Sequence, residues 1–276
     1  MLFHFISGIC LGLAQLVPGL SSATIAVVLG LYDAILQAFN RCIRHPFSSW
    51  SSLLFLFTLS MGVCAGFVFF SKALLFILRM YPVLSAFSFM GLVLGTIPFF
   101  YQTYLCKYNF SFKSNVIFIV FFLFVSVFAF IPHVSLINLN NYSSIMFYLF
   151  LFISGFLTSM AMLVPGLSGS LVLLLLGAYD FILNAILTKQ IDIIFIFSLG
   201  ICVGFLLMAQ FVQYLLKRFQ YYYYVAVLAL LLGSVCGLWP ANIQSVWQLS
   251  LGFCLCFLMA FMMRYLTFKF KKASIA

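Results

Sequence analysis

Acidic residues are nearly missing from this sequence. It contains no glutamate and only three aspartates, and charged residues make up 6% of its 276 positions, whereas 66% are hydrophobic. A water-soluble domain needs more polar side chains to cover its surface, so this composition excludes one. Apolar runs recur along the whole chain, and several reach the ~20 residues that a helix needs to cross ~30 Å of hydrocarbon. The sequence therefore predicts an all-α polytopic membrane protein.

The cysteines do not have the spacing of a metal site. The eight cysteines form no Cys-x-x-Cys pair, and most of them lie inside apolar runs. Free cysteine in such a place behaves as a small buried residue. Neither a disulfide framework nor a bound metal or other cofactor is indicated.

The net charge of +10 has a membrane explanation. The basic residues stand at the ends of apolar segments, where such residues set the orientation of helices and meet anionic lipid headgroups. We therefore expect bilayer lipids, and not nucleic acid, as partners of the positive charge.

A stretch that occurs twice organises the chain. Residues 16–36 read LVPGLSSATIAVVLGLYDAIL, and residues 163–183 read LVPGLSGSLVLLLLGAYDFIL. Aligned without a gap at an offset of 147, residues 7–36 and 154–183 share 15 of 30 positions. Chance could match leucine with leucine in an apolar chain, but it would not keep Pro, Gly, Ser, Tyr and Asp in register. The stretch is an internal repeat.

The repeat extends through both halves of the chain, because Gly62 and Gly66 match Gly200 and Gly204 at an offset of 138. Such small residues four apart also predict close helix packing in lipid. We predict two repeats at 1–131 and 145–268, an external loop at 132–144 and a basic cytoplasmic tail at 269–276. Each repeat is predicted to hold a Pro-Gly-broken helical hairpin and three transmembrane helices. The hairpins are expected at 1–38 and 145–187, and the helices at about 53–78, 83–104, 115–131, 193–216, 222–238 and 246–266.

Charge counting predicts that the two repeats have opposite orientations. If each hairpin enters and leaves on one side of the membrane, each repeat crosses an odd number of times and the second is inverted. With the linker 40–52 in the cytoplasm, Lys72, Arg79 and Lys189 face outwards and the other ten basic residues face inwards, which obeys the positive-inside rule. A single crossing by each broken segment would give five inside and eight outside. Both termini are then expected in the cytoplasm.

The same count does not separate re-entrant hairpins from pairs of full crossings. The first arm has at most 17 residues before Pro18, which favours a re-entrant element.

The Pro-Gly-Leu-Ser turn predicts an anion site inside the membrane. Pro and Gly end one helix, and Ser21 or Ser168 is a good N-cap for the next. Such a helix start has unpaired N–H groups and a positive dipole end, which suits a phosphate. Two inverted copies would bring two such ends together near the midplane, as in many secondary transporters. A kink satisfied by neighbouring helices is the simpler alternative.

The two copies together resemble a known family. Small residues, Pro-Gly-x-Ser, small residues and Gly-x-Tyr-Asp, present twice and in order, are similar to the pattern of the undecaprenyl (polyprenyl) phosphate translocases of the PopT type, formerly a domain-of-unknown-function family. The second copy, at 165–170, fits closely, whereas the first has Ser21-Ser22-Ala23-Thr24 in place of the usual Ser-Gly-Gly-Thr. The resemblance covers most of the chain. It implies a flippase that returns the carrier-lipid phosphate across the bacterial cytoplasmic (inner) membrane for cell-envelope synthesis.

A polyprenyl phosphate needs a polar pocket for its headgroup and an apolar lateral opening for its tail. The candidates for binding the headgroup are Gly19, Ser21, Ser22, Thr24, Gly166, Ser168, Gly169 and Ser170. Lys72 and Arg79, at the outer end of an apolar segment, could collect the phosphate. Lys217 and Arg218, at the matching inner position, could act in its release. For these four residues the alternative is that they anchor their helices at the membrane surface.

Asp33 and Asp180 follow the serines of the two copies by 12 residues. In a continuous helix they would lie ~18 Å further along, at the interfacial end, where a carboxylate opposes the helix dipole. An ionisable residue in a membrane segment is a functional hypothesis, here coupling or gating. The alternative is an interfacial ion pair that orients the hairpin, with Arg41 or Arg44 as the partner of Asp33.

Two other functions fit part of the pattern. Integral-membrane polyprenyl pyrophosphate phosphatases also use duplicated hairpins with a Pro-Gly-x-Ser turn, but they pair the serine with arginine and glutamate. Here Ser22 and Gly169 follow the serines and the chain has no glutamate, so the charge stabilisation that phosphoryl transfer needs is missing and we expect no enzyme. A secondary transporter of another small anion or hydrophobic solute is the other alternative.

Overall fold

A computed structural model gives the fold and describes residues 2–17, 20–44, 49–130, 144–240, 243 and 245–275. All regular secondary structure in these ranges is helical, which confirms the predicted all-α class. The helices are α1 Leu2–Leu16, α2 Ser22–Val28, α3 Tyr32–Arg44, α4 Trp50–Met80, α5 Pro82–Phe100 with a π-helical continuation at Tyr101–Leu105, α6 Phe112–Phe130, α7 Ser144–Met162, α8 Gly169–Leu175, α9 Tyr179–Leu187, α10 Ile191–Gly237 and α11 Val246–Ile275.

Five of the described helices are long and apolar enough to cross a membrane, namely α4, α5 with its π-helical end, α7, α10 and α11. The pair α2 and α3 would make a sixth span, but these helices meet at 111°, the geometry of a broken span or a re-entrant loop. Within the same ranges, α1 and α6 are shorter apolar helices. The chain is therefore a multi-pass membrane protein, as predicted.

A glycine ends the short helix α2. Gly30 has a φ of 71°, a left-handed conformation that glycine adopts without steric cost. The N–H groups of Gly30 and Leu31 turn back to the carbonyls of Val27 and Ala26 at 3.1 and 2.9 Å, which is the Schellman arrangement of a helix end. The second copy repeats this turn, since Gly177 has a φ of 65°. Each hairpin predicted at 1–38 and 145–187 is therefore broken a second time, after its Pro-Gly break, at Gly30 and Gly177.

The glycine turns change the setting of the two aspartates. Asp33 lies in the first turn of α3, and Asp180 is the second residue of α9. A carboxylate at the start of a helix is stabilised by the helix dipole. The prediction that these acids lie at the far end of a helix, against its dipole, was wrong because a new helix begins one residue before each of them.

The fourth helix of each half is separated from the next by a single non-helical residue. Tyr81, between α4 and α5, has φ −133° and ψ 58°. Phe219, inside α10, has φ −135° and ψ 36°. The two positions are 138 residues apart, which is the offset of the sequence repeat in this region. The helices predicted at 193–216 and 222–238 are therefore the two arms of α10.

Matching helices of the two halves pack through matching residues. In the first half α1 lies against α4, and a Cβ atom on Gly8 would lie 2.3 Å from the carbonyl oxygen of Leu59. In the second half α7 lies against α10, and a Cβ atom on Gly155 would lie 2.3 Å from the carbonyl oxygen of Phe197. Backbones this close require glycine, as the small-residue spacing predicted.

The remaining helices pack across the halves. Helix α5 lies against α11, where a Cβ on Gly95 would be 2.5 Å from the carbonyl oxygen of Ala260. Helix α6 lies against α10, where a Cβ on Gly233 would be 3.0 Å from the carbonyl oxygen of Phe122. Each contact is the repeat equivalent of the other with the halves exchanged, because 95 and 233, and 122 and 260, differ by 138. Inverted orientation of the halves across the membrane stays a prediction.

Three predicted features lie at the margins of the described residues. The expected external loop at 132–144 falls outside them, apart from Ser144, which begins α7. Gly19, in the first break, also falls outside them. The basic tail predicted at 269–276 continues helix α11 as far as Ile275.

Candidate functional site

The break of the first copy is built around the buried helix α2. Six of its seven residues are buried. Ser21 caps the helix as predicted, because its hydroxyl accepts from the backbone N–H of Ala23 at 3.3 Å. The same hydroxyl donates to the carbonyl oxygen of Val164 at 3.4 Å. Since Val164 belongs to the second copy, this serine joins the two breaks.

Thr24 strengthens that junction. Its side chain is fully buried, and its hydroxyl oxygen accepts the backbone N–H of Gly166 at 3.2 Å. Gly166 has a φ of 89°, and a Cβ atom there would lie 2.9 Å from the backbone nitrogen of Leu231. Two predicted headgroup ligands, Ser21 and Thr24, therefore hold the backbone of the second break in place.

Tyr32 makes a third connection, which the sequence analysis did not predict. Its hydroxyl donates to the carbonyl oxygen of Leu163 at 2.6 Å and lies 2.7 Å from the hydroxyl of Tyr223. Because the proton of Tyr32 is used by Leu163, Tyr223 is the donor in the second bond. A buried tyrosine hydroxyl needs such partners. The sequence held a signal for this connection, because the tyrosine of Gly-x-Tyr-Asp lies in an apolar stretch, where its hydroxyl would be buried and need a partner.

The two copies also meet at a pair of equivalent positions. The hydroxyl of Ser22 donates to the side-chain oxygen of Gln15 at 3.2 Å, and the Gln15 amide donates to the sulfur of Met162 at 3.6 Å. Gln15 and Met162 differ by 147, the offset of the repeated stretch. Gln15 was not among the predicted site residues, although a glutamine inside an apolar arm is a signal for a polar function.

The hydroxyl groups of the second copy are more exposed than those of the first. Ser168 is half-buried and Ser170 is exposed, and their oxygen atoms lie 2.7 Å apart. In the described part of the chain, this is the one side-chain hydrogen bond that either serine makes. Gly169, between them, is buried so closely that a Cβ atom would lie 2.6 Å from Cγ of Met162. The serine pair is therefore adjacent to Met162 and, through it, to Gln15.

Helices α2 and α8 each have seven residues. A macrodipole needs a longer run of aligned peptide groups to reach its full strength. Any anion at these breaks would thus be held mainly by hydroxyl and backbone N–H groups close to it. The serine pair of the second copy is the accessible set of such groups.

The predicted basic residues lie on other parts of the fold. Lys72 and Arg79 are exposed on α4, with Arg79 in its last turn. Lys217 and Arg218 are exposed immediately before the Phe219 break of α10. Among the described side chains, no hydrogen bond joins these four to the serines of the breaks.

Lys217 lines a polar cavity of about 480 Å³ between α3 and α10. Three amide side chains line it as well, and Asn40 donates to the side-chain oxygen of Gln213 at 2.7 Å. The amides of Asn40, Gln210 and Gln213 were missed in the sequence analysis. Their signal was available, because Gln210, Gln213 and Lys217 are spaced by three and four residues on one face of an otherwise apolar helix.

Asp33 is exposed at the start of α3. Three tyrosines lie near it, of which Tyr223 and Tyr224 are buried and Tyr104 is half-buried. The rings of Tyr104 and Tyr224 are stacked with centroids 3.6 Å apart. The side chains of Asp180 and Arg44 fall outside the described residues, so the alternative pairing of Asp33 with Arg44 does too. Arg41, the other alternative partner, is exposed, and in the described part of the chain no ion pair joins it to Asp33.

The sequence of this chain matches that of a known protein family. The family model of undecaprenyl phosphate translocase-like proteins matches residues 11–252. The chain belongs to this family. The match spans both copies of the repeated stretch and confirms the resemblance seen in the motif residues.

Two curated relatives of the family cover most of the chain. A polyprenyl-phosphate transporter of Vibrio cholerae serotype O1 is 28% identical over an alignment of 258 residues, which covers 89% of this chain and 80% of the relative. A polyprenyl-phosphate transporter of Staphylococcus aureus is 25% identical over 260 residues, which are 90% of either chain. No solved structure matches the chain significantly.

Proposed function

We propose that this protein translocates polyprenyl phosphate, such as undecaprenyl phosphate, from the outer to the inner leaflet of the bacterial cytoplasmic membrane. The carrier lipid would thereby be returned to cell-envelope synthesis. The observation that carries the proposal is the family match over 11–252, together with two relatives that are named as transporters of polyprenyl phosphate. These names also favour transport over hydrolysis.

The headgroup site of the proposal is the serine pair Ser168 and Ser170. A phosphate oxygen accepts hydrogen bonds strongly, and two hydroxyls 2.7 Å apart can both turn their protons towards one anion. Gln15 and Ser22, which are reached through Met162, would add an amide and a third hydroxyl on the side of the first copy. Gly169 keeps the backbone between the two serines close to Met162, which is the partner of the Gln15 amide.

The first copy has a supporting role in this proposal. Ser21 and Thr24 are 5% and 0% exposed, and their hydroxyls already bond to Val164 and Gly166. They would fix the backbone of the second break, Gly166 included, so that the serine pair is held in a defined geometry. A preorganised site of this kind binds with less ordering cost.

Inverted repeats would give the site access from both leaflets in turn. In this scheme Lys72 and Arg79 collect the phosphate outside, and Lys217 and Arg218 receive it inside. The amide-lined cavity beside Lys217 supports the second step, because Asn40, Gln210 and Gln213 add hydrogen-bonding groups to its charge. Asp33 and Asp180, at the starts of α3 and α9, are the candidates for coupling or gating.

The test measures undecaprenyl phosphate in the outer leaflet with a phosphate-binding antibiotic that labels intact cells. Cells depleted of the protein are complemented with the wild type, with Ser168→Ala/Ser170→Ala or with the control Ser250→Ala, at equal membrane levels. Ser250 is an exposed serine of α11 that takes part in no proposed site. Hydrogen bonds to a charged group contribute about 1.5–3 kcal/mol each, so the double variant should lower the rate of return about tenfold or more.

The possible outcomes distinguish the translocase function from the serine site. Higher labelling on depletion, corrected by the wild type and by Ser250→Ala but not by the double variant, supports both the translocase and its serine site. If the double variant corrects labelling as well as the wild type does, the serine site is wrong and the translocase remains. If labelling does not respond to the protein at all, another anion becomes the better proposal.

A further inference from the structure

A second candidate site lies where the π-helical end of α5 faces α11. A cleft of about 360 Å³ opens there. Its polar lining includes Gln102, Thr103 and Arg264, and its aromatic lining includes Phe261, Tyr265 and Phe268. None of the described residues that line it belongs to α1, α2, α7 or α8, so the cleft is separate from the serine pair.

Thr103 has a hydroxyl without a partner. Its Oγ1 atom is buried and forms no hydrogen bond within the described residues. Other hydroxyls of these helices bond to a carbonyl one turn earlier, as Thr96 does to Val93 at 2.7 Å. A buried hydroxyl left unpaired in a membrane protein is costly and calls for an explanation. Thr103 lines the cleft, so a rotation of its side chain would turn this hydroxyl towards a ligand atom there, which would supply the missing partner.

The backbone around Thr103 is also unusual. Residues Tyr101–Leu105 form a π-helix, a rare conformation that occurs frequently at functional sites. The π-helix follows Pro98, which lies inside α5 and has no N–H to donate. The widened turn carries both Gln102 and Thr103 on the cleft.

Arg264 gives the cleft its charge. Its side chain is exposed, and no acidic residue stands among the described residues that line the cleft. A guanidinium group donates two parallel hydrogen bonds to a phosphate, which makes arginine the usual residue for this anion. Arg264, Thr103 and Gln102 together present donors to one small volume.

The aromatic lining indicates that a phosphate bound here would belong to a lipid. Phe261, Tyr265 and Phe268 are 72%, 59% and 67% exposed, so the cleft has an apolar flank that opens outwards from the helix bundle. A free phosphate would gain nothing from this flank, whereas the chains of a lipid would cover it. The sequence of α11 continues with Lys269, Lys271 and Lys272, and basic segments next to a membrane helix attract anionic lipids.

We propose that this cleft binds the phosphate headgroup of an anionic bilayer phospholipid, at a site separate from that of the transported lipid. Arg264 binds the phosphate, Thr103 and Gln102 donate to its oxygen atoms, and the aromatic flank contacts the upper part of the acyl chains. The occupant is a resident lipid of the bilayer.

The test titrates the purified full-length protein in detergent with dioleoyl phosphatidylglycerol and, separately, with dioleoyl phosphatidylcholine, and counts bound lipid by native mass spectrometry. The wild type should prefer phosphatidylglycerol. Arg264→Gln should weaken the affinity for it about tenfold, since a charge-assisted pair of hydrogen bonds is lost. The matched control Lys113→Gln removes one exposed basic side chain from α6, outside the cleft, and should leave the affinity unchanged.

Thr103→Val gives a second and sharper readout. It should weaken binding of phosphatidylglycerol about threefold, yet it should not lower the melting temperature of the lipid-free protein, because the hydroxyl that it removes had no partner. The matched control Thr96→Val removes a bonded hydroxyl from the same helix and should lower the melting temperature without affecting lipid binding.

Four results would overturn the proposal. Equal losses in Arg264→Gln and Lys113→Gln would mean that only surface charge attracts the lipid. Inorganic phosphate that binds as tightly as phosphatidylglycerol would show that no lipid is needed. A loss of affinity for undecaprenyl phosphate in Arg264→Gln, with phosphatidylglycerol unaffected, would assign the cleft to the transport route. A lower melting temperature of lipid-free Thr103→Val would show that the hydroxyl has a structural partner.

This test does not depend on the proposed translocase function. The variants of the cleft are distinct from those of the serine pair, and the readout is lipid binding and not transport. Failure of one proposal therefore leaves the other to be decided on its own measurement.

Discussion

The first and second copies of the repeated stretch have half of their residues in common but differ in burial. In α2 every residue except Ser22 is buried, whereas in α8 the one buried residue among its described side chains is Gly169. The first copy is thus surrounded by protein and the second is open on one side. This difference in burial is the basis for proposing that the first copy supports the site and the second binds the headgroup.

Three differences in sequence account for this division. Thr24, which accepts the N–H of Gly166, corresponds to Leu171, so only the first copy has a hydroxyl at this position. The exposed Ser170 corresponds to the buried Ala23. Gly169 corresponds to Ser22, whose hydroxyl bonds to Gln15. The polar groups of the first copy are turned into the fold, and those of the second remain available.

The largest effect is expected where the two copies meet, at Gly166. Gly166→Ala forces a side chain into a positive-φ position and places its Cβ 2.9 Å from a backbone atom of Leu231. Backbone strain of about 1–2 kcal/mol and overpacking of about 1–3 kcal/mol add in this variant. We expect a large drop in melting temperature in detergent, with loss of protein from the membrane.

Gly30→Ala is the matched control for Gly166→Ala. Its φ of 71° carries the same kind of strain, but nothing lies within 4 Å of the added Cβ. It should lower stability by only about 1–2 kcal/mol. Similar drops in melting temperature for the two variants would contradict the tight junction at Gly166.

Thr24→Val and Ser170→Ala should have opposite effects on stability and transport. Thr24→Val leaves the N–H of Gly166 buried without its acceptor, which costs about 1–3 kcal/mol and should lower the melting temperature. Ser170→Ala should leave the melting temperature within error and lower the return of undecaprenyl phosphate, measured by outer-leaflet labelling. If Ser170→Ala destabilises the protein as much as Thr24→Val does, the two copies do not differ in the way described.

The smallest effect is expected for the tyrosines of the two copies, Tyr32 and its counterpart Tyr179. Tyr32→Phe removes the bond to Leu163 and takes a partner from Tyr223, so we expect a loss of about 1–2 kcal/mol. Tyr179→Phe should change the free energy of unfolding by less than about 0.5 kcal/mol, because Tyr179 is half-buried and makes no hydrogen bond to another described residue. Thermal unfolding of both variants in the same detergent measures the difference.

Much of the fold could be predicted from hydropathy and repetition. The helices at 53–78, 83–104, 115–131 and 246–266 were found within a few residues, except that α11 continues to Ile275, because long apolar runs leave few alternatives in lipid. The cap at Ser21 was also predicted, since it depends only on local sequence. Such features need no knowledge of what the rest of the chain does.

The helix ends at Gly30 and Gly177 were missed even though they are local. Both glycines lie in continuous apolar sequence. Such sequence predicts an uninterrupted helix, although glycine often ends helices. As a consequence both aspartates were assigned to the wrong end of a helix. A glycine followed two residues later by tyrosine and aspartate was the overlooked sign of a helix end and a new start.

The unequal burial of the two copies could not be predicted at all. The bond between Thr24 and Gly166 joins residues that are 142 positions apart, and it exists because of the way two helices approach each other. In sequence, Thr24 and Ser170 are equally good ligands for a phosphate. Only burial distinguishes them.

Helix α5 of the first half packs against α11 of the second half, and this affects when the protein can fold during its synthesis. Helix α5 ends at Phe100 and its partner α11 begins at Val246, so about 146 residues of synthesis separate them. At roughly 5–20 residues per second, α5 waits roughly 7–30 seconds for its partner to leave the ribosome. During that time the face of α5 that packs against α11 lacks its partner, whereas α1 and α4 of the first half can already pack together. Assembly of this protein is therefore completed only when translation is nearly finished.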